Sequence, residues 1–217
     1  VPQALILFDL DGTLADSAPD LAGAANAMLS ARGLPELPLA VLRPHGGSGA
    51  RGMVGTAFGV TPAQPEYEAL KNEWFAHYEP RLLQLTRLFD EIEPLLQALQ
   101  ARGLRHGIVT NKAERYAHPV CEGLGLTRQA SVIIGGDTTP HRKPHPAPLL
   151  EAARRAGVEP AHCVYVGDDE RDMMAGRAAG MRTIAAAWGY LGTGKSIAEW
   201  PADAIIGSPL ELLMALG

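Results

Sequence analysis

The sequence predicts an α/β fold: a doubly wound parallel sheet with an all-helical segment inserted after its first strand. Three observations carry that expectation. Short β-prone runs alternate with helical patterns along most of the chain, and the alternation stops between about residues 16 and 83. The polar residues able to do chemistry gather just after the β-prone runs. With 217 residues, 47% of them apolar, the chain can bury a sizeable core and falls short of the length at which one core must divide.

The first run, residues 4–8, leads into the turn-forming sequence FDLDGT. The next stretch shows no strand pattern but carries helical patterns over 20–31 and 65–78. An insertion at this point would stand over the carboxyl edge of the sheet, where open α/β folds bind ligands. Residues 1–15 and 84–217 are therefore assigned to a Rossmann-like core and 16–83 to a helical cap, with hinges near Ala15 and Leu83. Beyond the cap, helical patterns at 91–101, 114–124, 147–156 and 171–179 separate strand-length runs at 106–109, 131–134, 163–166, 182–185 and 203–206. Gly103, Gly125, Gly157 and Gly180 stand where those helices should stop.

The bulk charge narrows the partners. A net charge of −5, a pI near 5.8 and the lack of any Lys/Arg run argue against a nucleic-acid or anionic-membrane partner. The apolar opening ALILF is too brief to span a bilayer and has no basic flank with a cleavage site. The expectation is a cytoplasmic protein, a monomer or weak homodimer, acting on a small molecule. Cys121 and Cys163 lack metal-ligand or CxxC spacing and read as buried thiols.

Asp9 and Asp11 lie two apart in an extended segment, hence on one side of it, and carboxylates this close repel. A divalent cation relieves the repulsion, and oxygen-only ligation suits Mg²⁺ better than Zn²⁺. The run at 163–166 leads into VGDDERD, where Asp168 would face the first pair as a third ligand and Asp172 adds to the same charge. Asp169 has a plainer reading as an acid at a helix N-terminus. Thr110 and Asn111, after another run, offer donors to a phosphoryl oxygen, and Lys143 sits in the proline-flanked loop HRKPHP. A cation and a lysine would neutralise a transferring phosphoryl group while Asp9 attacks phosphorus in line. In the cap, HGGSGARG holds Arg51, suited to a bidentate pair with a carboxylate or phosphate, or else to a solvated position on a flexible loop. His45 is the weaker candidate there.

DxDGT, Thr110, Lys143 and GDxxxD, in that order on successive strand ends, resemble the haloacid dehalogenase superfamily over the whole chain. The insertion resembles the subclass whose cap lies between the first and second motifs. The resemblance implies Asp9 as nucleophile and Asp11 as general acid/base. It further implies Mg²⁺ held by the carboxylates of Asp9 and Asp168 and the backbone carbonyl of Asp11, with Asp172 supporting it through water. An acid at position 11 points to phosphatase or phosphomutase chemistry, because an alkoxide leaving group needs a proton. The segments FDLDGTLADSAPDL, HGIVTNK, HRKPHPAPLL and VGDDERDMMAGRAAGM are similar to phosphoglycolate phosphatases. The cap and TRLFDEIEPLLQALQARG also look like the N-acetylmuramic acid 6-phosphate phosphatases.

Two other readings compete. A sugar phosphomutase of the β-phosphoglucomutase type shares core and cap position. A phosphorylatable receiver domain also gathers acids, a hydroxyl and a lysine around Mg²⁺, but its acceptor Asp lies on a middle strand, apart from the acid pair of the first.

Overall fold

The computed structural model describes residues 4–217. Strand β1 (Leu5–Phe8) is followed by the two-residue β2 (Ala15–Asp16), and then by helices α1 (Ala18–Ser30), α2 (Leu39–Leu42), α3 (Gly49–Phe58) and α4 (Tyr67–Tyr78). A second two-residue strand, β3 (Arg87–Leu88), pairs antiparallel with β2. The chain continues through α5 (Ile92–Ala101), β4 (Arg105–Val109), α6 (Glu114–Gly123), β5 (Ile133–Ile134), α7 (Ala147–Ala156) and β6 (Cys163–Gly167). It ends with α8 (Glu170–Ala178), β7 (Arg182–Ala186), β8 (Ala204–Ile206) and α9 (Leu212–Leu216).

The main sheet runs β5-β4-β1-β6-β7-β8, with every neighbouring pair parallel. All four residues of β1 are buried, because helices cover both faces of the central strand. Ile6 and Phe8 join the apolar cluster beneath α5, α6 and α9, and Leu5 and Leu7 join the one beneath α7 and α8. Each such side chain contributes roughly 1.5–3 kcal/mol on burial. The chain leaves β1 toward β4 and β5 and returns on the other side through β6, β7 and β8, so the topological switch point falls at the carboxyl end of β1. Phe8 is in register with both Ile108 and Val166, which brings Asp9, Thr110 and Asp168 to one edge of the sheet.

The strand-free stretch forms four helices and has its own apolar cluster. Leu21 and Met28 of α1, Met53 and Val54 of α3, and Trp74 and Tyr78 of α4 are its main members. The two-residue strands β2 and β3 were not foreseen, and their ladder joins this layer to the core a few residues beyond the expected boundary at Leu83. Just inside that ladder the buried carboxylate of Asp20 accepts from the backbone N–H groups of Leu85 and Thr86 and from the Thr86 hydroxyl, tying the two chain crossings together.

The sequence HGGSGARG is not a loop. Residues Arg43–Ser48 form a 3-10 turn that runs directly into α3. Two of its glycines serve packing: a Cβ on Gly46 would press on the Tyr190 ring at 2.8 Å, and one on Gly52 would overlap the His45 carbonyl; Gly49 instead supplies a positive φ of +53°. Among the described residues no helix is long and apolar enough to cross a membrane. Cys121 and Cys163 are both free and buried, and burial pushes their thiols up to about 12 and about 11.

Candidate active site

A cavity of about 370 Å³ opens between the carboxyl edge of the sheet and the helical layer, with Asp9, Asp11, Thr110, Asn111, Lys143 and Arg51 all on its wall. Asp9 follows β1 directly, anchored because its backbone N–H donates to the Val166 carbonyl at 2.9 Å. Its Oδ1 accepts from the Leu10 N–H at 2.7 Å and lies 3.0 Å from the Lys143 ammonium.

Lys143 is buried. Its Nζ also reaches Asp172 at 2.8 Å, the Tyr165 hydroxyl at 2.6 Å and the Val109 carbonyl at 3.1 Å. Burial opposes its charge, but the carboxylates of Asp172 and Asp9 outweigh that and raise its pKa.

Asp9, Asp168 and Asp172 present carboxylate oxygens within 4.8 Å of one another. Three carboxylates against one ammonium leave the cluster strongly negative. Burial pushes the Asp9 carboxyl up to about 7, with Lys143 resisting and Asp172 adding to the push. Asp168 is driven well above the usual range by burial and then by the charges of Asp9 and Asp172. Thr13 Oγ1 and the Tyr190 N–H donate to its two oxygens at 2.7 and 2.8 Å, which fixes its orientation without cancelling its charge.

A hard divalent cation fits this donor set: the ligands are oxygens, they converge, and burial together with mutual repulsion disfavours their ionised form until a counter-charge is supplied. The turn around them is closely fitted too. Gly12 adopts φ +87°, and a Cβ on Gly12 or on Gly189 would overlap Asp168.

Asp172 and Asp169 both stand at the start of α8, and for Asp169 this is the helix-terminal position expected from the sequence. Asp172 spends one oxygen on Lys143 and the other on the Asp169 N–H, so it stands behind the cluster and completes a capping box at the start of α8. Asp169 is the N-cap of that helix, and against burial Arg171 holds its carboxyl below the ordinary range.

Asn111 lines the cavity with its side chain already engaged. Its Oδ1 accepts from the Lys143 N–H and its Nδ2 donates to the Lys143 carbonyl, both at 3.0 Å. The amide expected to donate to a phosphoryl oxygen also clamps the loop that carries the lysine. Thr110, buried at the end of β4, lines the cavity.

Arg51 sits on α3, exposed, and makes no ion pair or hydrogen bond among the described residues. It lines the cavity and also a neighbouring groove beside the 191–195 loop, and His45 belongs to that groove alone.

Several contributors escaped sequence reasoning: Thr13 and Tyr190 on Asp168, Tyr165 on Lys143, and Lys112, whose Nζ lies 3.1 Å from Asp11. Lys112 directly follows Thr110 and Asn111, and that adjacency was the one available signal.

Residues 6–186 match the model of the haloacid dehalogenase-like hydrolase family. The chain is 50% identical over 211 residues to a phosphoglycolate phosphatase of Xanthomonas campestris pv. campestris, covering 97% of this chain and 95% of that one. It is 40% identical, again over 211 residues, to an N-acetylmuramic acid 6-phosphate phosphatase of Pseudomonas aeruginosa, covering 97% and 93%. Among solved structures, a predicted phosphoglycolate phosphatase from Haemophilus somnus superposes with a TM-score of 0.86 at 29% identity, covering 99% of this chain and 98% of that one. The structure of a "putative beta-phosphoglucomutase" from Thermotoga maritima, at 21% identity and TM-score 0.78, shares the fold. The family match over most of the chain agrees with the strand-edge cluster of acids and lysine, and the chain belongs to the haloacid dehalogenase-like hydrolases.

Proposed function

We propose that the chain hydrolyses the phosphomonoester of a small metabolite carrying a second anionic group, through a phosphoaspartyl intermediate on Asp9. The observation that carries this reading is the Asp9 carboxylate at the cavity floor, held 3.0 Å from the buried Lys143 beside two further carboxylates. Asp9 attacks phosphorus, and Asp11 hands a proton to the leaving oxygen. Water then attacks the phosphoaspartate and gives its proton to Asp11. Lys143 and Thr110 hold phosphoryl oxygens. Asp9 and Asp168, with the backbone carbonyl of Asp11, would hold Mg²⁺, which neutralises charge on the transferring group when bound.

The cavity wall supports a polyanionic substrate. Beyond Lys143 at the Asp9 end, Arg51 and Arg142 stand on it without an ion pair among the described residues, whereas Lys71, Lys112 and Arg171 are paired with Glu68, Asp11 and Asp169. Phosphoglycolate and N-acetylmuramic acid 6-phosphate, the substrates in the names of the relatives, both carry a carboxylate besides the phosphate. Residues 16–83, acting as a cap, would exclude water when closed over the core. The likeness to β-phosphoglucomutase is one of fold alone and favours no mutase step.

Two experiments test the reading. Asp9→Asn is nearly isosteric and should abolish turnover with the circular dichroism spectrum unchanged, so substantial activity in the purified variant defeats the phosphoaspartyl mechanism. A panel of phosphorylated metabolites should release inorganic phosphate. Isomerised sugar phosphate in its place would move the assignment to a mutase.

A further inference from the structure

The proposed reaction assigns no step to Lys112, although its surroundings are specific. The side chain is 6% exposed and directs its ammonium at two groups: the Asp11 carboxylate, at 3.1 and 3.2 Å from the two oxygens, and the Tyr78 hydroxyl at 2.6 Å. Its backbone is fixed as well. The N–H donates to Thr110 Oγ1 at 3.2 Å, and the carbonyl accepts from the Gly136 N–H at 2.7 Å. Burial opposes the charge, but Asp11 and Tyr78 outweigh it and raise its pKa, so the group is an ammonium.

Tyr78 has equally little freedom. It is buried at the end of α4, stacked on Trp74 with ring centroids 4.7 Å apart and packed edge-on against Tyr116 at 5.9 Å. Trp74 in turn donates from Nε1 to the Leu21 carbonyl of α1 at 3.3 Å. The hydroxyl therefore goes where the helical layer goes.

We propose that Lys112 is a positioning residue for Asp11: aimed by Tyr78, its ammonium bridges both carboxylate oxygens and fixes the direction from which Asp11 delivers and takes its proton. An aspartate side chain unsupported at a turn populates several staggered rotamers. A buried charge-assisted bridge, together with the Ser17 hydroxyl on Oδ1 at 2.5 Å, selects one. The seating of the helical layer is thereby coupled to the orientation of the proton donor. The inference rests on the assignment of Asp11 as general acid/base.

The test uses p-nitrophenyl phosphate in rapid-mixing kinetics with Mg²⁺. In the first step Asp9 forms its bond to phosphorus and the aryl P–O bond breaks. Nitrophenolate leaves with the electron pair and needs no proton. In the second step water attacks phosphorus, its proton passes to Asp11, and the O–P bond of the Asp9 acyl phosphate breaks to release phosphate and restore the carboxylate. A misdirected Asp11 thus slows the second step alone.

Lys112→Met should show a burst of about one nitrophenolate per site, followed by a steady state slowed on the order of 10²-fold, the low end for loss of acid–base assistance. Lys112→Arg should recover part of the rate. Tyr78→Phe, which removes one hydroxyl, should give the same burst with a smaller slowing. Asp11→Asn serves as the reference for the burst. A burst in Asp11→Asn but in neither Lys112→Met nor Tyr78→Phe overturns the positioning role. So does a rise in KM with kcat unchanged, which would make Lys112 a substrate contact. No burst in Asp11→Asn, together with retained activity in Asp9→Asn, would place the fault in the phosphoaspartyl reading itself.

Discussion

Removing divalent cations should make the fold sensitive to pH in a direction the buried acids dictate. Burial moves the Asp9 carboxyl from its ordinary 3.8 to about 7 in the folded chain. A carboxyl raised on folding holds its proton more tightly in the folded state than in the unfolded one. Its stabilising contribution is therefore complete below the unfolded value and is lost as pH rises toward 7. Each pH decade over which the folded chain keeps a proton that the unfolded chain has lost costs the chelated protein about 1.4 kcal/mol. Asp168, raised in the same direction, adds to the loss. Mg²⁺ opposes the loss by binding the ionised cluster, and at a hundred times its dissociation constant it contributes about 2.7 kcal/mol. For a chain of this size each kcal/mol moves Tm by about 2–4 °C, so Mg²⁺ should raise Tm by about 5–11 °C at pH 8 and by much less at pH 5. Thermal unfolding in EDTA and in excess Mg²⁺ at the two pH values measures this. Equal Mg²⁺ shifts at both, or none at either, would refute a cation site built from these carboxylates.

Two further outcomes follow from particular contacts. If Arg51 holds the carboxylate of the substrate, Arg51→Ala should raise KM for a carboxylate-bearing phosphate about 10- to 100-fold, from the roughly 1.5–3 kcal/mol of a charge-assisted bond. It should leave p-nitrophenyl phosphate, which lacks that group, nearly unchanged, and steady-state kinetics on both substrates decide the matter. Asp20→Ala should destabilise the chain by about 3 kcal/mol, because it strands the buried N–H of Thr86 and frees the two crossings between the layers; a Tm within 2 °C of the parent would dismiss that tie.

Which of these features could be read from the sequence follows from how each is encoded. The six strands of the main sheet are short apolar runs because helices bury both faces, and a run of that kind announces itself without any partner. The residues just past the runs, Asp9, Thr110 and Asp168, were legible for the same reason: in a parallel sheet a strand end is also a site edge. The β2–β3 ladder, two residues on each side, is too short to show any period. The 43–58 segment was obscured by its glycines, which suggest a loop where Gly46 in fact provides close contact with Tyr190.

The residues that went unread share a different property. Thr13, Tyr165, Tyr190 and Lys112 are each defined by what they hold, and the groups they hold are distant in sequence: Thr13 and Asp168 are separated by 155 positions, Lys112 and Asp11 by 101. An acid cluster advertises itself because like charges at close spacing demand a counter-charge, whereas a hydroxyl or lysine that satisfies one of them looks like any surface polar group until the fold brings the two together. Asn111 shows the same limit from the other side. It stands just past a strand end on the cavity wall, but its side chain faces the Lys143 backbone, a pairing across 32 positions that the strand end did not announce. Position follows from the topology of one strand, but role follows from the pairing of two, and a single sequence carries the first far more openly than the second.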